Sequence, residues 1–146
     1  MKRLLFTLAT CCVMCACEQK TEMNPFFTEF QTEYGAPDFT KIRLEHYEPA
    51  FLKGIEEQNA EIKAIVDNPE EPTFENTIVA LDKSGGILAR VSGVFFALTE
   101  ADTNDSLTAL NEKMAPVLSE HSDNIYLNQD LYCLLYTSDA ADEGLG

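Results

Sequence analysis

The chain has 146 residues, enough for one ordinary domain, and 45% of them are hydrophobic, a share typical of a globular protein and not of a disordered one. Its formal net charge is −15, and without Lys2 and Arg3 of the leading segment eight basic residues stand against 25 acidic ones. A surface this acidic argues against nucleic acid and anionic lipid as electrostatic partners.

Residues 1–16 have the layout of a secretory leader: Lys2 and Arg3 form the positive end, and Leu4 to Met14 an apolar stretch. That stretch is too short to span a bilayer, which takes roughly 20 apolar residues. Met14-Cys15-Ala16-Cys17 resembles a bacterial lipobox, with Met14 in place of the commoner Leu, small residues next, and the obligatory Cys. Cys17 is thus the expected lipidation site: its sulfur accepts a diacylglyceryl group, and each buried CH₂ contributes about 0.8 kcal/mol to anchoring. The implied location is the bacterial cell envelope, exported and lipid-anchored to the membrane, in either leaflet. A plain leader cleaved nearby is the alternative; a cut before Cys15 would leave bulky Met14 at the junction.

Cys11, Cys12 and Cys15 fall in the leader, Cys17 is the lipid site and Cys133 lies near the end, so residues 18–132 hold no cysteine. Packing alone must hold that part, without a disulfide framework or thiolate zinc site. Residues 17–24 read as a polar tether. Asn24-Pro25-Phe26-Phe27 and Gly35-Ala36-Pro37-Asp38-Phe39 alternate turn formers with aromatics, as extended chain over a core does.

From His46 to Val66, Phe51, Ile55, Ile62 and Val66 recur at helical spacing with Ile65 beside them, predicting an amphipathic helix. Pro49 is expected in its first turn, and Glu56, Glu57 and Glu61 on its solvated face. Thr73 is the expected N-cap of a second helix from about Phe74, with Glu75 favouring the helix dipole. Its stripe is Ile78, Leu81, Leu88, Val91, Phe95 and Leu98, interrupted by Gly85-Gly86, where the helix either bends or admits another backbone. A third helix follows caps at residues 102–105, with Leu107, Leu110, Met114, Val117 and Leu118 as its apolar positions and Pro116 expected to kink or end it. Residues 123–128 read as a turn and linker, with Asn128 a cap for a succeeding element.

Little in this pattern carries chemistry. Neither His46 nor His121 stands in an H-E-x-x-H run that would put two zinc ligands on one helix face. Both are assigned structural roles, although Asp123 could orient the His121 imidazole. Lys83-Ser84 precedes the glycines instead of following them, so it is not a phosphate loop. Glu70-Glu71 and Asp102/Asp105 lack the ligand spacing of an EF-hand. No catalytic, metal-binding or cofactor-binding residue is expected in the chain.

Three runs carry a family resemblance: Pro72-Thr73-Phe74-Glu75-Asn76-Thr77-Ile78, Arg90-Val91-Ser92-Gly93-Val94-Phe95-Phe96, and His121 through Asn128. With Asn24-Pro25-Phe26-Phe27 and His46-Tyr47-Glu48-Pro49-Ala50-Phe51 in the same order, they resemble the N-terminal region of bacterial peptidyl-dipeptidases, thimet oligopeptidase-like zinc metallopeptidases. The resemblance implies an all-α helical segment over residues 25–131, part of the non-catalytic wall of a larger two-lobed enzyme that cleaves short peptides. Zinc, its ligands and the general-base glutamate would lie downstream, leaving this segment inactive and without bound zinc. After Leu131 the resemblance stops, and residues 132–146 look like translated sequencing-adapter read-through. That expectation includes a mobile stretch from residue 137 and a chain truncated near residue 131. The rival reading is a complete small helical lipoprotein that binds a partner through its apolar helix faces.

Overall fold

The computed structural model describes residues 23–143, with side chains described as far as Ser138. The leader 1–16, the lipidation candidate Cys17 and most of the tether lie outside the described residues. The fold is all-α, as expected; no strand occurs among the described residues, and none of their helices is long and apolar enough to cross a membrane.

Two 3₁₀ turns, Pro25–Phe27 and Glu33–Gly35, punctuate a strap that leads into helix α1, Leu44–Val66. α1 starts two residues before the expected position because the Arg43 N–H donates to His46 Nδ1 at 3.1 Å, a side chain of the first turn serving the N-cap. Pro49 consequently sits in the second turn and not the first. The buried line of α1 is Tyr47, Ala50, Phe51, Gly54, Ile62 and Ile65, while the expected Ile55 and Val66 flank it half-buried. Counting large apolar residues overlooked the two small ones, which face the neighbouring helix.

Thr73 caps the next element as expected. Its Oγ1 accepts from Asn76 N–H at 3.1 Å and Asn76 Oδ1 accepts from Thr73 N–H at 2.8 Å. A wide π-helical turn, Phe74–Val79, runs into the short α2, Ala80–Lys83. The helix then breaks at Ser84-Gly85, with Gly85 left-handed at φ 74°, before α3, Gly86–Ala101. Of the two options left open for the glycine pair, the break is realised; the close backbone approach occurs at Gly54.

Asn104 Oδ1 accepts from Ser106 and Leu107 N–H, both at 3.1 Å, opening α4, Asp105–Tyr126. Pro116 does not end it. The carbonyl deprived of a partner belongs to Glu112; both residues are exposed, so water can reach it. Residues 123–126, expected as a turn, are the last turn of α4.

Asn128 then caps α5, Gln129–Glu143, by accepting from Leu131 N–H at 3.0 Å. Residues 137–143, part of the stretch expected to be mobile, continue this helix. Leu131, Leu134 and Leu135, at helical spacing, pack against Ile62 and Ile65, and the buried Ser138 Oγ donates to Leu135 O at 2.9 Å.

The core has two centres. At the strap end, Phe26, Tyr47, Phe51, Val91, Phe95, Leu107 and Met114 close around one another, with the Phe51 and Phe95 rings edge to face at 5.3 Å. At the other end of α1, Ile62, Ile65 and Leu131 gather α5 and the half-buried Leu81 and Ile125.

Candidate functional site

The two histidines occupy separate clusters. His46, at the start of α1, accepts from Arg43 N–H through Nδ1, and its carbonyl accepts from Asn24 Nδ2 at 2.7 Å. It ties the strap to α1. His121 projects from α4 to Gln58 on α1, with Nε2 and Oε1 2.7 Å apart. The expected alternative partner, Asp123, is exposed on another side of α4. Among the described residues no group of three His, Cys, Asp or Glu side chains converges as a metal site would.

The hydrogen bonds around Gln58 fix its orientation and the tautomer of His121. Ser84 Oγ donates to Leu81 O at 2.8 Å, so it must accept from Gln58 Nε2, 3.2 Å away. That turns the Gln58 Oε1 toward His121, whose Nε2 therefore carries the proton. Burial pushes the imidazole pKa down from its ordinary value, in keeping with a neutral ring. Lys83-Ser84 and Gly85 are thus structural: the serine closes α2 and anchors α1.

Glu61 departs from its expected place on the solvated face. It is half-buried, and its carboxylate accepts from the Gly85 N–H at 2.7 Å. A side chain on Gly85 would also meet Gln58 at 2.6 Å. Two residues one turn apart on α1 therefore hold the break between α2 and α3. Spacing of apolar residues carries no signal of this; a glycine pair interrupting a helical stripe was the available hint.

This network floors a groove of about 400 Å³, walled by Leu88, Ser92 and Phe96 of α3 and by Leu118, Ser122 and Ile125 of α4. Its walls are mostly apolar, with the two serine hydroxyls and the Gln58–His121 pair as polar points. Such a surface suits binding of an apolar segment; every described imidazole and the half-buried Glu61 carboxylate near it are already engaged.

No family model matches the chain. It is 48% identical over 112 residues to the dipeptidyl carboxypeptidase of Escherichia coli and 45% identical over 109 residues to that of Salmonella typhimurium. These stretches are 77% and 75% of this chain but 16% of each relative. Oligopeptidase A of Escherichia coli is 28% identical over 109 residues, 15% of its length. The chain thus spans about one sixth of the length of the curated relatives it matches, and over that stretch it is homologous to them.

Proposed function

We infer that the chain is a segment of a dipeptidyl carboxypeptidase of the thimet oligopeptidase-like zinc peptidase family, and that the intact protein hydrolyses short peptides. The observation that carries this is the 48% identity over 112 residues, spanning 16% of the relative. Identity at that level over three-quarters of the chain goes with common ancestry, and the relatives' length leaves most of the enzyme outside the shared stretch.

The described residues do not fit a zinc site. His46 and His121 are committed to backbone capping and to Gln58, and no third ligand converges on either. We propose, as the family resemblance implies, that zinc is held by the part of the longer protein beyond this stretch and that the segment by itself does not cleave peptides. Its helices serve as wall and support. We further propose that residues 1–16 are removed as a leader, that Cys17 is acylated, and that the protein works in the cell envelope; the lipobox-like run Met14-Cys15-Ala16-Cys17 supports this.

Resequencing the locus tests the central reading. The frame is expected to leave the present tail soon after Leu131 and to continue to an H-E-x-x-H run. Product made from the longer frame should release dipeptides and lose that activity on chelation, while the 17–146 product should neither bind zinc stoichiometrically nor cleave. Recovery of the same tail and a stop after Gly146 from unamplified DNA would instead support a small helical lipoprotein. Acylation at Cys17 is read by mass spectrometry of the N-terminal peptide from membrane-extracted protein.

A further inference from the structure

Residues 24–43 form a strap whose inner side chains build the fold. Phe26 is fully buried, and Phe30 and Ile42 pack against the same core cluster. Its start is tied to α1 by Asn24 Nδ2 donating to His46 O, and to α3 by Arg90 Nη1 donating to Phe26 O, each at 2.7 Å. The outer side carries Phe27, Tyr34 and Phe39, exposed by 38, 95 and 55%, and Met23 just ahead of it is 71% exposed. Tyr34 is the more telling of these. Its backbone is left-handed at φ 62°, a strained conformation for a side-chain-bearing residue, and the ring gains no buried contact in return.

Charge and reach set this face apart. The strap holds Glu29, Glu33 and Asp38 against Lys41 and Arg43, with Asp38 and Lys41 paired at 2.9 Å. Residues 44–143 carry twenty acidic and five basic side chains. The bulk of the surface is therefore repelled by anionic headgroups, and the strap is nearly neutral. Six residue steps separate Cys17 from Met23, a reach of at most about 21 Å when fully extended. Other large apolar residues are exposed along the helices, Leu52, Phe74, Tyr132 and Tyr136 among them, and the most exposed pair, Tyr126 and Leu127, stands about 28 Å along α4 from Leu107, which shares the strap's core cluster.

We propose that the outer face of the strap docks on the bilayer, with Phe27, Tyr34 and Phe39 seated in the headgroup region and the α4–α5 end directed away from the membrane. The proposal rests on the acylation of Cys17 inferred above. The short tether holds this face against the lipid, aromatic rings favour the boundary between headgroup and chain, and repulsion of the acidic remainder sets the orientation.

The chain contains no tryptophan, so single Tyr34→Trp, Phe39→Trp and Tyr126→Trp variants of the full chain each report one position. The acylated proteins are reconstituted into vesicles of mixed phosphatidylcholine and anionic phosphatidylglycerol, with and without brominated acyl chains. Tyr34→Trp and Phe39→Trp emission should be quenched by brominated lipid several-fold more than Tyr126→Trp emission, and should be shielded from iodide. Equal access of iodide to all three overturns the docking. Mass and vesicle flotation separate the two levels of failure. A chain not acylated at Cys17 refutes the anchor and the docking with it, whereas an acylated, floating protein with Tyr34→Trp open to iodide refutes the docking alone.

Discussion

Gly54 of α1 and Leu88 of α3 meet backbone to backbone: a methyl group at Gly54 would lie 2.7 Å from the Leu88 nitrogen and 2.8 Å from its Cα. Alanine normally stabilises a helix interior by up to about 1 kcal/mol relative to glycine. Here the obstacle is main chain, which cannot rotate aside. Gly54→Ala is expected to force α1 and α3 apart and destabilise the fold by about 1–3 kcal/mol, seen as a lower denaturation midpoint with unchanged helicity below the transition. Stabilisation by this variant would show that the two helices separate freely.

The break at Gly85 depends on two side chains of α1. Glu61→Ala removes the acceptor of the Gly85 N–H and should lower stability by about 1.5–3 kcal/mol, the range for a hydrogen bond to a charged group. Glu61→Gln keeps an acceptor oxygen and should lose less. Amide exchange at Gly85 distinguishes a local opening from a global one: the alanine variant should accelerate it beyond the change in overall stability.

Because burial depresses the pKa of His121, the unfolded chain takes up its proton before the folded one as pH falls. Stability contributed by the neutral ring is complete above the unfolded value of about 6.5 and is lost as pH drops through that value toward the lower folded one. Unfolding free energy should therefore decrease as pH falls through about 6.5, and His121→Gln should flatten the decrease. Parallel curves for the two proteins would remove His121 as its source.

Tyr47 is 2% exposed, packs between Phe26 and Phe95, and its hydroxyl has no hydrogen-bond partner among the described residues. Burial raises its pKa. A buried hydroxyl without a partner costs about 1–3 kcal/mol, so Tyr47→Phe should be neutral or stabilising by about 1 kcal/mol, as measured by chemical denaturation. A marked loss would mean that the hydroxyl is satisfied in solution.

Helix identity was legible because it rests on periodicity and caps: Thr73, Asn104 and Asn128 all accept the hydrogen bonds that their sequence positions predict. The errors share a cause. Pro49 and Pro116 were weighed by backbone preference alone, yet a proline within a helix whose deprived carbonyl reaches water is tolerable when packing on both sides fixes the axis. Apolar spacing does not mark Tyr47, Ala50 and Gly54, because the line of contact on α1 is set by where α3 comes closest, and small residues lie along it. Nothing local distinguishes Glu61 from Glu57 on the expected solvated face; its partner is 24 residues away. The groove draws on four separate helices and lies beyond any local pattern.

The bond from Arg90 to the Phe26 carbonyl spans 64 residues. At synthesis rates of about 5–20 residues per second, Phe26 is made roughly 3–13 seconds before the residue that holds it. Its pocket is at least as late, since Val91 and Phe95 of α3 and then Leu107 and Met114 of α4 belong to the cluster that encloses the ring. During that interval Phe26, Phe27 and Phe30 form an aromatic run with nowhere to fold, so the nascent strap is the segment that a holding chaperone would grip, and its seating can be completed only after α3 is made.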